Sequence, residues 1–226
     1  MTPQEMTSAP SLPRNAAWMA CRFSPDSTGL SHIPDALPPG AMLILNDRFP
    51  CRSHDPVRIA EEMAAAVERL NCGSVLLDFE RKPSKETEAI ANALLEALSC
   101  PLAAPPGFAA DSDCGIFLPP CPLRIPLAEY LHPWQGRDIW LDVTAQQQTI
   151  TVTRKGMTCS VPAPPDRQGG ILDELLLCRY ITEVSEAEVR FTLFDTPETL
   201  KMKLEHAAEL GVSRAVGLYQ ELGCKL

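Results

Sequence analysis

Basic residues are scarce in this chain of 226 residues, which has 20 Lys and Arg against 29 Asp and Glu and a formal net charge of −9 at pH 7. Nucleic acids and anionic membranes are bound by basic surfaces, so the charge argues against both partners. No apolar run approaches the length of about 20 residues that a transmembrane helix needs. The N-terminal segment MTPQEMTSAPSLPRNAA also lacks the basic start and apolar centre of a signal peptide. We therefore expect a loose tail over residues 1–16.

Metal-binding and cofactor-binding patterns are also missing. The nine cysteines are scattered, odd in number and contain no C-x-x-C pair, and the chain has only four histidines. This usage argues against a structural zinc site and a disulfide scaffold, and it favours a reducing compartment, which we take as the cytoplasm. No glycine-rich dinucleotide turn is found. We expect neither a metal nor another cofactor.

The most informative segment is residues 73–80, GSVLLDFE, a short apolar run that ends on two carboxylates. Side chains alternate along a strand, so Asp78 and Glu80 would share one face with their Cα atoms about 6.6 Å apart. In parallel α/β folds, the carboxyl ends of the strands are where ligands bind. Because Ser84 can cap the following helix, neither acid is needed for capping. The pair is therefore a candidate site.

Strand and helix patterns alternate along most of the chain. Asp55-Pro56, Pro83-Ser84 and Thr196-Pro197 mark the starts of helices. Residues 149–161 alternate apolar and polar positions around Lys155-Gly156 and predict an antiparallel hairpin. Apolar runs predict eight further strands, at 17–23, 41–46, 73–80, 100–104, 115–118, 138–143, 189–194 and 212–219.

This succession predicts an α/β fold. Strand–helix–strand units joined by right-handed crossovers give a parallel sheet. About eight strands in this length fit a small or distorted (β/α)₈ TIM-type barrel over residues 17–226, with the hairpin near 149–161 as an insertion. An open doubly wound sheet is the alternative.

Two segments resemble the chitinase-like family-18 glycoside hydrolases. GSVLLDFE resembles the fourth barrel strand of that family, whose pattern ends Asp-x-Asp-x-Glu. FDTPETLKMKLEHAAELGVSRAVGLYQELG is similar to its last strand–helix–strand unit, in which the final strand carries a tryptophan. The hairpin near 149–161 also lies where bacterial spore and cell-wall members insert a small β element.

The resemblance implies a substrate-assisted hydrolysis of N-acetylated oligosaccharides. Glu80 would protonate the glycosidic oxygen, and Asp78 would orient the N-acetyl group of the substrate, which attacks the anomeric carbon. Two like charges this close would raise one pKa, as a general acid near neutral pH requires. Tyr219, at the position of the closing tryptophan, is the candidate floor of the sugar site.

The sequence departs from the family pattern. Leu76 takes the place of the family's earlier aspartate, and Trp140-Leu141-Asp142 stands where an assisting tyrosine is expected. Aromatic residues make up only 6% of the chain, which is few for a groove that stacks sugar rings. Further candidate substrate contacts end strands on the same predicted rim: Arg22, Asn46, Trp140 and Asp142, and Asp47, which follows Asn46, is expected at the same mouth.

Three hypotheses stay open. The first is a glycosidase acting on N-acetylglucosamine-containing glycans with Glu80 as general acid. The second is an inactive barrel of the same origin that binds a glycan or a protein. The third is an unrelated α/β enzyme in which Asp78, Glu80 and Asp142 bind Mg²⁺, a cation that prefers oxygen ligands.

Overall fold

A computed structural model of the protein describes residues 14–26, 28–50, 53–109 and 113–218, with only the backbone described for 14–20 and 218. The candidate residue Tyr219 lies outside these ranges. Residues 14–16 of the predicted tail belong to the first described strand, Arg14–Phe23, and the rest of the tail lies outside the described residues.

The strands form two sheets. The first sheet contains β1 (Arg14–Phe23), β2 (Leu30–Ser31), β3 (Met42–Asn46), β4 (Ser74–Asp78), β5 (Leu102–Ala104), β6 (Gly115–Leu118), β7 (Ile139–Asp142) and β13 (Val212–Leu218). The second sheet contains β8 (Gln147–Thr153), β9 (Gly156–Cys159), β10 (Ile171–Asp173), β11 (Cys178–Val184) and β12 (Glu188–Phe194).

The described helices lie between strands of the chain. They are α1 (Pro56–Leu70), α2 (Lys85–Ala97), α3 (Pro106–Ala109), α4 (Leu127–Leu131), which runs into a 3₁₀ turn at His132–Trp134, and α5 (Pro197–Glu209). Each of the three longest begins at its predicted cap: the Asp55 carboxylate accepts from the N–H of Val57, and Ser84 and Thr196 each form a capping box. In the described part of the chain, no helix is long and apolar enough to cross a bilayer.

The first sheet is built from seven parallel strands. Its order is β2-β1-β3-β4-β5-β6-β7-β13, with the short β2 antiparallel to β1. The strand β13 pairs in parallel with β7 on one side and with β1 on the other, so the ladder of hydrogen bonds returns to its first strand. The fold is thus mixed α/β, with a parallel sheet and an additional antiparallel sheet.

The predicted strand 189–194 exists, but it does not belong to the parallel sheet. As β12 it pairs antiparallel with β11 and β8. Its sequence EVRFTLF alternates polar and apolar positions, which is typical of a strand with one solvated face. The buried parallel strands β3 and β4 instead read as the continuous apolar runs MLILN and SVLLD. The expected eighth parallel strand is therefore not found among the described residues.

The second sheet enlarges the predicted insertion. The hairpin expected at 149–161 is confirmed as β8 and β9, which are joined by a two-residue turn at Arg154 and Lys155; Gly156, the first residue of β9, has a φ of +138°. The strand order β10-β11-β12-β8-β9 adds three strands, so the inserted sheet spans residues 147–194. The insertion lies between β7 and α5.

The two faces of the parallel sheet bury different sets of side chains. One face packs against α1 and α2 in the larger core, which includes Leu43 and Leu77. The other face forms a compact interior cluster of Met42, Ile44, Leu76, Ala103, Trp140 and Val216. Because strand residues alternate, Asn46, Asp78 and Asp142 lie on the interior face, one position beyond the cluster. This face of the sheet is therefore apolar along the strands and polar at their carboxyl ends.

His54 is a buried histidine without polar partners. Its side chain is 5% exposed, its ring lies 5.2 Å from that of Phe23, and neither ring nitrogen has a hydrogen-bond partner in the described structure. We expect His54→Phe to raise the free energy of unfolding by about 1–2 kcal/mol, since it removes two unsatisfied polar atoms from the core. Urea denaturation at pH 7.5 measures the change. His132→Phe, at an exposed site, serves as the control, and a loss of stability in His54→Phe would contradict the assignment.

Candidate functional site

Three of the predicted site residues lie side by side at the carboxyl ends of adjacent strands. Arg22 is the register partner of Asn46 across β1 and β3, and Asn46 is the partner of Asp78 across β3 and β4. Neighbouring strands are about 4.8 Å apart, so the three side chains leave the sheet in one row. The sheet topology thus brings together residues that are 24 and 32 positions apart in the sequence.

A cleft of about 480 Å³ opens above this row. It is lined by Arg22, His32, Asn46, Asp47, Arg48, Asp78, Glu80 and Arg81. The volume lies within the range of about 300–1,000 Å³ typical of small-molecule sites. Four predicted site residues, Arg22, Asn46, Asp78 and Glu80, therefore line one cavity.

Asp78 is the carboxyl group whose chemistry is most altered by this environment. It is half-buried at the end of β4. Burial, and after it the negative charges of Glu80, Asp47 and Asp142, raise the pKa of Asp78 to about 6. The raised pKa was expected on the general acid, which the resemblance identified with Glu80. The group with the raised pKa is Asp78, because its carboxyl is half-buried whereas Glu80 is exposed.

Asp47 fixes the loop that carries Glu80. Its carboxylate is almost fully buried and accepts hydrogen bonds from the backbone N–H groups of Glu80 and Arg81, both at 3.0 Å. The Arg81 guanidinium donates in return to the backbone carbonyls of Asp47 at 3.1 Å and Arg48 at 3.2 Å. The segments that follow β3 and β4 are thereby tied together, and the backbone at Glu80 is held in place.

Arg22 lines the cleft near the end of β1. Its guanidinium contacts Nε2 of His32 and lies 5.4 Å from the ring centroid of Phe49. Its Nε atom is buried and lacks a hydrogen-bond partner within the described ranges. His32 adopts a φ of +61°, a left-handed conformation that is uncommon outside glycine. The backbone thus holds an unusual conformation at a residue that lines the cleft.

Trp140 and Asp142 do not line the cleft. Trp140 is fully buried in the interior cluster, where its Nε1 donates to Asp138 at 3.0 Å and the Arg214 guanidinium lies 4.5 Å from its ring. The predicted substrate contact by Trp140 is therefore corrected to a core position, because Trp140 lies two residues before the strand end, on the face that carries the interior cluster. Asp142 ends β7 on the same rim and accepts from the N–H of Thr144 at 2.8 Å. Its negative charge contributes to the raised pKa of Asp78.

Three residues of the cleft were missed by the sequence analysis: His32, Arg48 and Arg81. Asp47 and Arg48 directly follow β3, as Glu80 and Arg81 follow β4, so the rule that strand ends carry function could have identified Arg48 and Arg81. His32 follows the two-residue strand β2, which has no readable apolar pattern. No signal in the sequence points to it.

The carboxylates do not form a metal centre. Within residues 14–26, 28–50, 53–109 and 113–218, no group of three or more His, Cys, Asp or Glu side chains is arranged to hold a metal ion. The two oxygens of Asp47 are also engaged by backbone amides. The hypothesis of a Mg²⁺ enzyme using Asp78, Glu80 and Asp142 is therefore without geometric support.

The raised pKa of Asp78 predicts a stability that depends on pH. A carboxyl whose pKa rises from its ordinary value of about 3.9 when unfolded to about 6 when folded destabilises the folded state when ionised. This cost is absent below pH 4 and complete above pH 6–7. After allowance for solvent screening it is about 1–2 kcal/mol. We expect Asp78→Asn to raise Tm by about 3–6 °C at pH 8 and by little at pH 4.

Differential scanning fluorimetry across this pH range measures the effect. Asp35→Asn, an exposed acid outside the cleft, is the matched control. An equal change in Tm at both pH values would contradict the raised pKa.

The fold, a parallel sheet with an inserted antiparallel sheet, is similar to that of several solved structures. The spore cortex-lytic enzyme SleL of Bacillus cereus matches with a TM-score of 0.52 and 12% identity, covering 89% of this chain and 62% of that one. The proposed sporulation-specific glycosylase ydhD of Bacillus subtilis matches with a TM-score of 0.54 and 9% identity, covering 83% of this chain and 90% of that one.

SleL of Bacillus megaterium is similar in the same way. Its TM-score is 0.50 at 11% identity, and the match covers 93% of this chain and 71% of that one. The chain thus spans about three fifths of the Bacillus cereus enzyme. No protein-family model and no curated protein matches the sequence. At these identities the likeness establishes the fold.

Proposed function

We propose that this chain is a divergent barrel of the chitinase-like family-18 type that binds N-acetylglucosamine-containing glycans and hydrolyses them slowly. The observation that carries the proposal is the position of Asp78 and Glu80, which line one cleft at the carboxyl end of β4. The likeness in fold to spore cortex-lytic enzymes supports a glycan as the ligand.

The strand pairing supports the barrel. Seven parallel strands that return from β13 to β1 leave no free edge between the first and last strands. The strand β4 is the third parallel strand from the start of the described chain and the fifth from its end. In an eight-stranded barrel the fourth strand is also the fifth from the end. Counted backwards from β13, β4 therefore takes the position of the fourth barrel strand, which GSVLLDFE resembles.

Each acid has a role in this proposal. Glu80 is exposed in the cleft and donates its proton to the glycosidic oxygen. Asp78, when ionised, accepts a hydrogen bond from the N–H of the substrate's N-acetyl group and so aims its carbonyl oxygen at the anomeric carbon. Because Asp78 has a pKa of about 6, this role requires a pH above 6. Hydrolysis therefore depends on an ionised Asp78 and a protonated Glu80 at the same time, so the rate should pass through a maximum with pH and fall on both sides of it.

Slow turnover follows from two features of the cleft. Leu76, at the position of the family's earlier aspartate, is buried in the interior cluster, so no acid lies on the strand directly beneath Asp78. Among the described lining residues no aromatic side chain offers a face for a sugar ring. The same two features favour a second candidate function, a glycan-binding protein without hydrolytic activity.

Binding and hydrolysis are tested together. Isothermal titration with chitotetraose measures binding, and the release of a chromophore from an N-acetylglucosaminide measures hydrolysis. Saturable binding with slow release supports the enzyme, and binding without release supports the binding protein. The absence of both would contradict the proposal.

The compartment is proposed on chemical grounds. The seven cysteines described in the structure are all free thiols, and four of them are buried. Free thiols in this number suit a reducing environment. We propose the cytoplasm, where the protein would meet soluble glycan fragments.

A further inference from the structure

The cleft is lined by three arginines, a histidine and three acids in a protein that is acidic as a whole. Arg22, Arg48 and Arg81 line it together with His32, although the chain carries a net charge of −9. Arg22 and His32 belong to one wall, Arg48 follows β3, and Arg81 follows β4. Three guanidinium groups thus border a space of about 480 Å³.

These arginines differ from others on the surface in their partners. Arg58, Arg179 and Arg190 each form an ion pair with a glutamate. Within the described structure, none of the three cleft arginines is paired with a carboxylate. Arg81 donates to two neutral carbonyls, and Arg22 contacts a histidine ring and an aromatic face. The side chain of Arg48 is exposed and makes no hydrogen bond to a described residue.

The acids of the cleft form no direct ion pair with these arginines in the described structure. The Asp47 carboxylate is turned to two backbone N–H groups and is almost fully buried. Asp78, whose pKa is raised to about 6, carries a negative charge above that pH, as its role in the proposed function requires. Glu80 is the one exposed carboxylate among the described lining residues. The hydroxyl and amide oxygens of a neutral glycan can accept hydrogen bonds from the guanidinium groups, but only an anion adds the stronger charge-assisted bonds.

We propose that the glycan bound in this cleft carries an anionic substituent, a carboxylate or a phosphate, which Arg22, Arg48 and Arg81 bind. The inference rests on the proposed function and names the substrate class of the same site. The planar guanidinium fork matches the geometry of both anions and forms charge-assisted hydrogen bonds with them. The net charge of −9 repels densely charged polyanions, so a chain with one anionic group per few sugars fits best.

Isothermal titration of the full chain tests the inference with matched ligands. A hyaluronan tetrasaccharide, which alternates N-acetylglucosamine with glucuronate, is compared with its neutral methyl ester and with neutral chitotetraose. For phosphate, the affinity for N-acetylglucosamine 6-phosphate is compared with the affinity for N-acetylglucosamine. At low salt we expect the acidic member of at least one pair to bind about tenfold more tightly, with a preference that shrinks as salt screens the charges.

Variants assign the preference to the cleft. Arg48→Gln should reduce the ratio of acidic to neutral affinity about fivefold, because one charge-assisted contact is lost. Arg154→Gln, the same change at an exposed position of the inserted hairpin, should leave the ratio unaltered. A tighter binding of the acidic hyaluronan ligand identifies the anion as a carboxylate, and a tighter binding of the phosphorylated sugar identifies it as a phosphate.

Two negative outcomes are distinguishable. If chitotetraose and the esters bind as tightly as the acidic ligands, or if Arg154→Gln lowers the ratio as much as Arg48→Gln, the anionic substituent is refuted while the proposed function stands. If no glycan of either kind binds, the proposed function fails and this inference fails with it.

Discussion

Glu80→Gln is expected to lower the release of chromophore from an N-acetylglucosaminide by at least about 100-fold, the usual contribution of a general acid. Glutamine keeps the shape of the side chain but has no proton to give to the leaving oxygen. Since the backbone N–H of residue 80 stays bound to Asp47, the loop should keep its position. Binding of chitotetraose should therefore change by no more than about twofold, because binding and chemistry depend on different properties of this side chain.

The control for this experiment is Glu88→Gln, an exposed acid of α2 outside the cleft. It should retain the full rate. A Glu80→Gln variant that releases chromophore as fast as the wild-type protein would refute Glu80 as the acid. A wild-type protein that binds chitotetraose without any release would instead establish the binding protein as the function.

Asp47→Ala should lower the free energy of unfolding by about 2–3 kcal/mol and also impair the cleft. The substitution removes the acceptor of two backbone N–H groups, those of Glu80 and Arg81. It leaves a cavity at a site where the side chain is 2% exposed. The segment after β4 then loses its tie to the segment after β3. We expect weaker binding of chitotetraose, since Glu80 is no longer held at a fixed position.

Urea denaturation measures the stability of this variant, and Asp35→Ala is the control at an exposed position. The free energy of unfolding of Asp47→Asn should lie between those of Asp47→Ala and Asp35→Ala, because the amide retains one acceptor oxygen. If Asp47→Ala were as stable as the Asp35→Ala control, the hydrogen bonds to Glu80 and Arg81 would not hold the loop as described.

The local elements could be predicted from the sequence because their signals are short-range. The helix caps at Asp55, Ser84 and Thr196 act within three residues of each helix start, and each begins a helix in the structure. The continuous apolar runs of β3 and β4 likewise identify buried strands. The same rules placed Asn46 and Asp78 at strand ends, which was sufficient to bring them into one site.

What the sequence did not reveal depends on pairing between distant segments. The alternation in β12 is visible, but nothing local specifies that its partners are β8 and β11 rather than a parallel strand. Trp140 lies in the core because its side chain is one position below the rim. The contact of Arg22 with His32 depends on a two-residue strand that no pattern marks.

Mapping of chitotetraose binding by NMR tests the central claim most directly. Titration of the ¹⁵N-labelled chain should shift the backbone amide signals of Asn46, Asp47, Asp78 and Glu80, with little change in the sheet at 147–194. Shifts confined to that inserted sheet, with the amides of β3 and β4 unmoved, would contradict the account.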